Sequence, residues 1–125
     1  MKLLLTFAIV SVFVAATSGQ TTAEEYRKML ESNPKSSMAH YGLGGLLFEA
    51  HDYQSSALEY RAAENGDLQP AWIEVWSHIN LGKIFDATGQ RDRAINEYTQ
   101  AARTRDDTNG ALKEADRYLK SPYKP

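Results

Sequence analysis

His40-Tyr41-Gly42-Leu43-Gly44-Gly45-Leu46-Leu47 and His78-Ile79-Asn80-Leu81-Gly82-Lys83-Ile84-Phe85 are the two stretches that decide how this chain folds. Their landmarks are a histidine, a Leu-Gly pair and a large apolar residue, and they return after 81 − 43 = 38 positions without a gap. The same shift carries Ser56, Tyr60 and Ala63 onto Ala94, Tyr98 and Ala101. A period of this length marks a repeat architecture in which each unit buries its apolar face on its neighbours.

The spacing has a mechanical meaning. Residues at i and i+4 share one helix face, so Leu43 with Leu47, and Leu81 with Phe85, form an apolar edge on the first helix of each repeat. Gly44 and Gly82 remove a side chain at mid-helix, at a cost of about 1 kcal/mol each relative to Ala. That cost is tolerable if another helix must approach closely there, and Tyr60 and Tyr98 are the natural occupants. In each second helix a small residue, the tyrosine and an alanine stand at i, i+4 and i+7, a packing pattern rather than a catalytic one. No run alternates apolar and polar residues for long enough to propose a strand, so the class is all-α.

These residues carry a resemblance. His40-x2-Leu43-Gly44-x2-Leu47 with Ser56-x3-Tyr60-x2-Ala63, and His78-x2-Leu81-Gly82-x2-Phe85 with Ala94-x3-Tyr98-x2-Ala101, resemble two tetratricopeptide repeats. Gly89-Gln90 supplies the turn in the second; the first departs with Ser56 for alanine and His51-Asp52 at the turn. The stretch Ala62 to Asp67 is similar to the end of a Sel1-like repeat, a near relative with the same stacked hairpins. The resemblance implies a right-handed α-solenoid of antiparallel helix hairpins. The repeats are expected over about 37–70 and 75–108, inside a helical domain spanning 20–121.

Tyr26-x2-Met29-Leu30 followed by Asn33-Pro34 resembles the second helix and exit turn of a preceding half repeat. The 38-residue period exceeds the common length of about 34, so an added turn near Pro70 to Val75, about 6 Å long and carrying Trp72 and Trp76, is expected. After Asp106-Asp107-Thr108-Asn109, which offers N-cap candidates, Ala111, Ala115, Tyr118 and Leu119 form the stripe of a C-terminal capping helix. Residues 122–125 hold two prolines and are expected to be irregular.

Composition narrows the function. The chain has 125 residues, 42% hydrophobic and 24% charged, with a net charge of -2 and no cysteine. A basic nucleic-acid surface, disulfides, thiolate metal sites and cysteine nucleophiles are thereby excluded. Lys2, the uncharged stretch Leu3 to Ala16 and the small residues up to Gly19 have the layout of a secretory signal over 1–19, too short for a membrane span. Export to a bacterial periplasm or beyond the cell is expected, without stable membrane insertion after cleavage.

The resemblance places partner-binding residues on the concave side: Met38, Tyr41, Gly45, Phe48 and Glu49 from one hairpin, then Trp76, Ile79, Lys83 and Asp86 from the next. Aromatic anchors beside a few charges are what a protein or peptide partner requires. A clamp for a terminal carboxylate is not expected, since Tyr41 and Gly45 replace the lysine and asparagine it needs. No nucleophile elbow, metalloprotease helix or phosphate loop occurs. Glu74 and His78 stand at i, i+4 but do not complete a metal site, and Arg91, Arg93, Arg103 and Arg105 read as a solvated face. The expectation is a non-enzymatic interaction module without cofactor or metal, a monomer or weak homodimer. The competing classes are a structural self-associating repeat and a metal-dependent enzyme accessory.

Overall fold

The computed structural model describes residues 21–125. The expected export signal, residues 1–19, lies outside the described residues. Helices start where short polar side chains can satisfy the free N–H groups of a first turn. Thr22 opens α1 (Ala23–Ser32) by accepting the N–H of Glu25 at 3.3 Å. Ser36 opens α2 (Ser37–Glu49) through the N–H of Ala39 at 3.2 Å, and Asp52 opens α3 (Tyr53–Glu64) through that of Ser55 at 3.3 Å. Then follow α4 (Trp72–Ala87), α5 (Arg91–Arg103), a 3-10 turn over Thr108–Gly110, and α6 (Ala111–Lys120). No strand occurs among the described residues, and the all-α expectation holds.

The helices pair as antiparallel neighbours. Ser37 Oγ at the start of α2 donates to the carbonyl of Ala63 near the end of α3, and Ser56 Oγ donates to the carbonyl of Gly44, both at 2.6 Å. In α4 and α5 the late Phe85 meets the early Arg93, whose guanidinium lies 4.0 Å above the ring. The glycine–tyrosine prediction is borne out. A Cβ on Gly44 would lie 3.0 Å from the ring of Tyr60, and one on Gly82 would lie 2.3 Å from that of Tyr98. Gly42 serves the same purpose for α1, because a Cβ there would stand 2.1 Å from the ring of Tyr26. Two of the three glycines of α2 are therefore docking points for tyrosines of α1 and α3.

Each helix also packs on the next along the chain, and α2 touches α4 as α4 touches α6. Tyr60, Leu81, Ile84, Phe85, Ala94 and Tyr98 form one buried cluster, while Val75, Ile79, Ala101, Ala111 and Ala115 form a second. Helices α4 and α5 contribute to both, so this pair joins the two clusters. The turns agree across the period: Asp52 N–H bonds the carbonyl of Leu47 at 2.9 Å and Gln90 N–H that of Phe85 at 2.7 Å. Each loop passes through a left-handed residue, His51 with φ 60 and Gly89 with φ 73.

The added turn is shorter than expected. Shifting the start of α2 by the repeat gives 37 + 38 = 75, whereas α4 starts at 72, so Trp72, Ile73 and Glu74 extend it by about 4.5 Å. Trp72 lies on the extension; Trp76 belongs to the part shared with α2. The capping stripe appears as read, with Ala111 and Ala115 fully buried and Tyr118 and Leu119 half-buried. Asp107 Oδ1 accepts the N–H of Leu112 at 3.0 Å, while Gly110, with φ 75, occupies the cap position itself.

Candidate functional site

Met38, Tyr41, Gly45 and Glu49 recur at i, i+3, i+7 and i+11, which aligns them on one face of α2. With Tyr26 of α1 and Trp72 of α4 they line an open cleft of about 300 Å³. The structure thus gathers four of the expected partner-binding residues and adds two aromatics from flanking helices. Tyr41 is its centre: its ring meets Trp72 edge-on at 5.2 Å and Tyr60 at 5.5 Å. Asn80 Nδ2 donates to its hydroxyl at 3.3 Å, which fixes the ring without covering it. Burial pushes the Tyr41 phenol up from its ordinary value, against the Asn80 hydrogen bond, so it stays a neutral hydroxyl. An aromatic wall beside the exposed carboxylate Glu49 suits an extended chain or helix with apolar and basic side chains.

The other expected residues are already engaged within the chain. Ile79 is fully buried in the second core cluster and has no surface to offer a partner, because α4 is covered by α5 and α6 at that height. Trp76 Nε1 donates to the carbonyl of Thr108 at 2.9 Å and its ring packs on the same cluster. Phe48 stacks edge-on with Tyr53 at 5.5 Å and lies 6.1 Å from Tyr123. Lys83 Nζ is 3.8 Å from Glu114, and burial holds its pKa below the ordinary value. The Asp86 side chain is 1% exposed and pairs with Arg91 Nη1 at 3.0 Å. The second half of the expected surface is thus closed by α6 and by residues that follow it.

Arg91 corrects a further expectation. It is not part of a solvated face: one guanidinium nitrogen holds Asp86 and the other donates to the carbonyls of Tyr118 and Leu119 at 2.8 and 3.1 Å. Arg93 donates to Gln90 Oε1 at 2.7 Å and lays its guanidinium over the ring of Phe85.

A second constellation lies between α3, α4 and α5. His78 Nδ1 is 2.8 Å from Glu97 Oε2 and 2.9 Å from Glu64 Oε1, and Arg61 bonds both carboxylates through its two terminal nitrogens. The single Nδ1–H serves Glu97, so Glu64 Oε1 has no hydrogen-bond donor of its own and is held by charge. Burial lowers the His78 pKa, but the two carboxylates beside its Nδ1 outweigh it and push it up to about 9. Two carboxylates face two cations, and the group is neutral as it stands. Glu64, His78 and Glu97 have the donor types of a metal site, and their ligand atoms lie within 4.8 Å of one another. Arg61 already supplies the positive charge that a metal ion would bring. Glu74, the carboxylate expected beside His78, is exposed and takes no part.

His40 and His78 stand out in the sequence as landmarks of the repeat, but their glutamate partners do not. His40 Nδ1 is 2.8 Å from Glu59 Oε2, and 59 + 38 = 97, so both histidine–glutamate pairs obey the repeat. Aligning charged residues at the same period as the apolar ones would have found them. No protein-family model, curated protein or solved structure matches the chain.

Proposed function

We propose that this chain is an exported, non-enzymatic interaction module of tetratricopeptide type, and that it holds a peptide or helix of a partner protein in the cleft around Tyr41. On this reading its two hairpins, the half repeat α1 and the capping helix α6 stack as a right-handed α-solenoid. The sequential packing of every helix on the next, with α2 on α4 and α4 on α6, supports the stacking. The repeat-related Gly–Tyr and His–Glu contacts support the equivalence of the two hairpins.

The observation that carries the proposal is the cleft. Tyr41 and Trp72 present half-buried rings at an open surface, while Met38 and Tyr26 supply further apolar wall and Glu49 a charge at the rim. The arrangement is preformed, so a partner orders little of this surface on docking. No helix among the described residues is long and apolar enough to cross a membrane. The work of such a module lies outside the cytoplasm, in the periplasm or beyond the cell.

Affinity capture from an envelope extract tests this, with wild type compared to Tyr41→Ala and Trp72→Ala chains that melt within a few degrees of it. Loss of a specific polypeptide from both variants is the expected result, because truncating an interface hot spot costs about 2 kcal/mol or more. Identical capture by all three chains rejects the cleft.

A further inference from the structure

Beyond α6 the chain turns back over the face of α4 on which Lys83 and Asp86 lie. Tyr123 donates its backbone N–H to Asp86 Oδ2 at 2.8 Å. Its ring lies 6.1 Å from Phe48 and 5.6 Å from Tyr118, and Lys83 Nζ stands 5.6 Å above it. Asp86 is set from behind: Tyr98 donates its hydroxyl to Oδ2 at 2.8 Å, and Arg91 Nη1 donates to both oxygens at 3.1 and 3.0 Å. A charge-compensated, immobilised carboxylate that accepts a main-chain N–H reads no side chain. The ring of the same residue is read by two aromatics and an ammonium.

We propose that this is a docking subsite for an extended peptide bearing an aromatic residue, and that Tyr123 is its internal occupant. A partner's aromatic residue takes the place of Tyr123 while the rest of the partner's segment lies in the Tyr41 cleft. The two places share one face of α2. Met38, Tyr41, Gly45 and Phe48 follow one another along a single face of α2, and Tyr41 to Phe48 spans about 10 Å of helix. About three residues of extended chain cover that distance, so one short segment reaches both. A tethered occupant competes at an effective concentration of order mM, so an external peptide must displace it rather than fill an open place. The inference rests on the peptide-binding reading of the neighbouring cleft.

The test uses the whole chain and the peptide Ser-Pro-Tyr-Lys-Pro, blocked at both ends, with Ser-Pro-Ala-Lys-Pro as control, each titrated by NMR. The Tyr123→Ala chain is expected to bind the tyrosine peptide at least tenfold more tightly than wild type does. Shifts should centre on the amides of Phe48, Lys83 and Asp86, and the control peptide should cause none. Equal affinity in the two chains, shifts elsewhere, or equal binding of both peptides overturns the proposal. If Tyr123→Ala does not fold, the wild-type chain still answers: saturating tyrosine peptide must move the Tyr123 ring signals to solvent-exposed values, and unmoved signals overturn it. A dimer that exchanges residues 121–125 between copies also overturns it, since the site would then serve self-association. Loss of partner capture by Tyr41→Ala without displacement of Tyr123 removes this subsite and leaves the cleft standing.

Discussion

His78 Nδ1 stands 2.8 Å from Glu97 Oε2, and the same distance separates His40 Nδ1 from Glu59 Oε2 one repeat earlier. Each pair ties the first helix of a hairpin to the second, but the settings differ. The Glu97 side chain is 3% exposed and shares its other oxygen with Arg61, whereas that of Glu59 is 28% exposed. Removing one partner of a buried ion pair strands the other, at about 3 kcal/mol or more, while a solvated pair contributes at most about 1 kcal/mol. Glu97→Gln should therefore lower stability by about 3 kcal/mol and Glu59→Gln by less than about 1 kcal/mol. Urea unfolding of both variants checks the ranking, and equal losses would contradict it.

The same cluster sets a pH dependence. His78, raised to about 9, contributes stability that is complete below its ordinary value of 6.5 and is lost as pH rises through about 9. Burial raises the Glu97 carboxyl, but its bonds to His78 and Arg61 prevail and hold it below the usual range. Its contribution is present above the ordinary carboxylate value and fails as pH falls through the lowered one. Stability should thus be highest near pH 5 to 6.5 and decline towards pH 9, measured as the urea midpoint. The His78→Gln chain should lose most of the alkaline decline; an unchanged slope would assign it elsewhere.

Close helix approach predicts a ranking of glycine substitutions. A methyl at Gly82 would overlap the fully buried Tyr98 ring at 2.3 Å, whereas at Gly44 the nearest atom of Tyr60 is 3.0 Å away. Overpacking costs about 1–3 kcal/mol, partly offset by the better helix propensity of Ala. Gly82→Ala should lower the melting temperature by several degrees and Gly44→Ala by clearly less. The reverse order would contradict the packing described.

The two turns predict a stabilising change. His51 adopts the left-handed conformation that Gly89 adopts one repeat later, at a cost of about 1 kcal/mol for a residue with a Cβ. Its ring also stacks on Tyr53 at 5.7 Å, a contact that recovers part of that cost. His51→Gly should raise stability by a few tenths to about 1 kcal/mol, read as a higher melting temperature. A loss would mean that the ring stack outweighs the backbone strain.

The helical class, the Gly44–Tyr60 and Gly82–Tyr98 contacts and the capping stripe of α6 were legible because each follows from periodicity and side-chain volume. One line of the cleft, Met38, Tyr41, Gly45 and Glu49, was legible for the same reason, since a single helix face is set by spacing. What spacing does not contain is which elements cover a face. Ile79, Lys83 and Asp86 lie in phase with the others, yet α6 and Tyr123 occupy the space above them. Trp72 and Tyr26 enter the cleft from other helices, so their place depends on how helices stack. The Glu64–His78–Glu97–Arg61 group draws on three helices and was invisible to motifs read along one of them.

The most direct test of the central claim places a photoreactive amino acid at Glu49, on the exposed rim of the cleft, and in a separate chain at Leu58, which is 68% exposed on α3 and outside the cleft. After illumination in the cell of origin, position 49 should crosslink to one discrete polypeptide and position 58 should not. No product from position 49, or the same product from both, would contradict the claim that this cleft receives another chain.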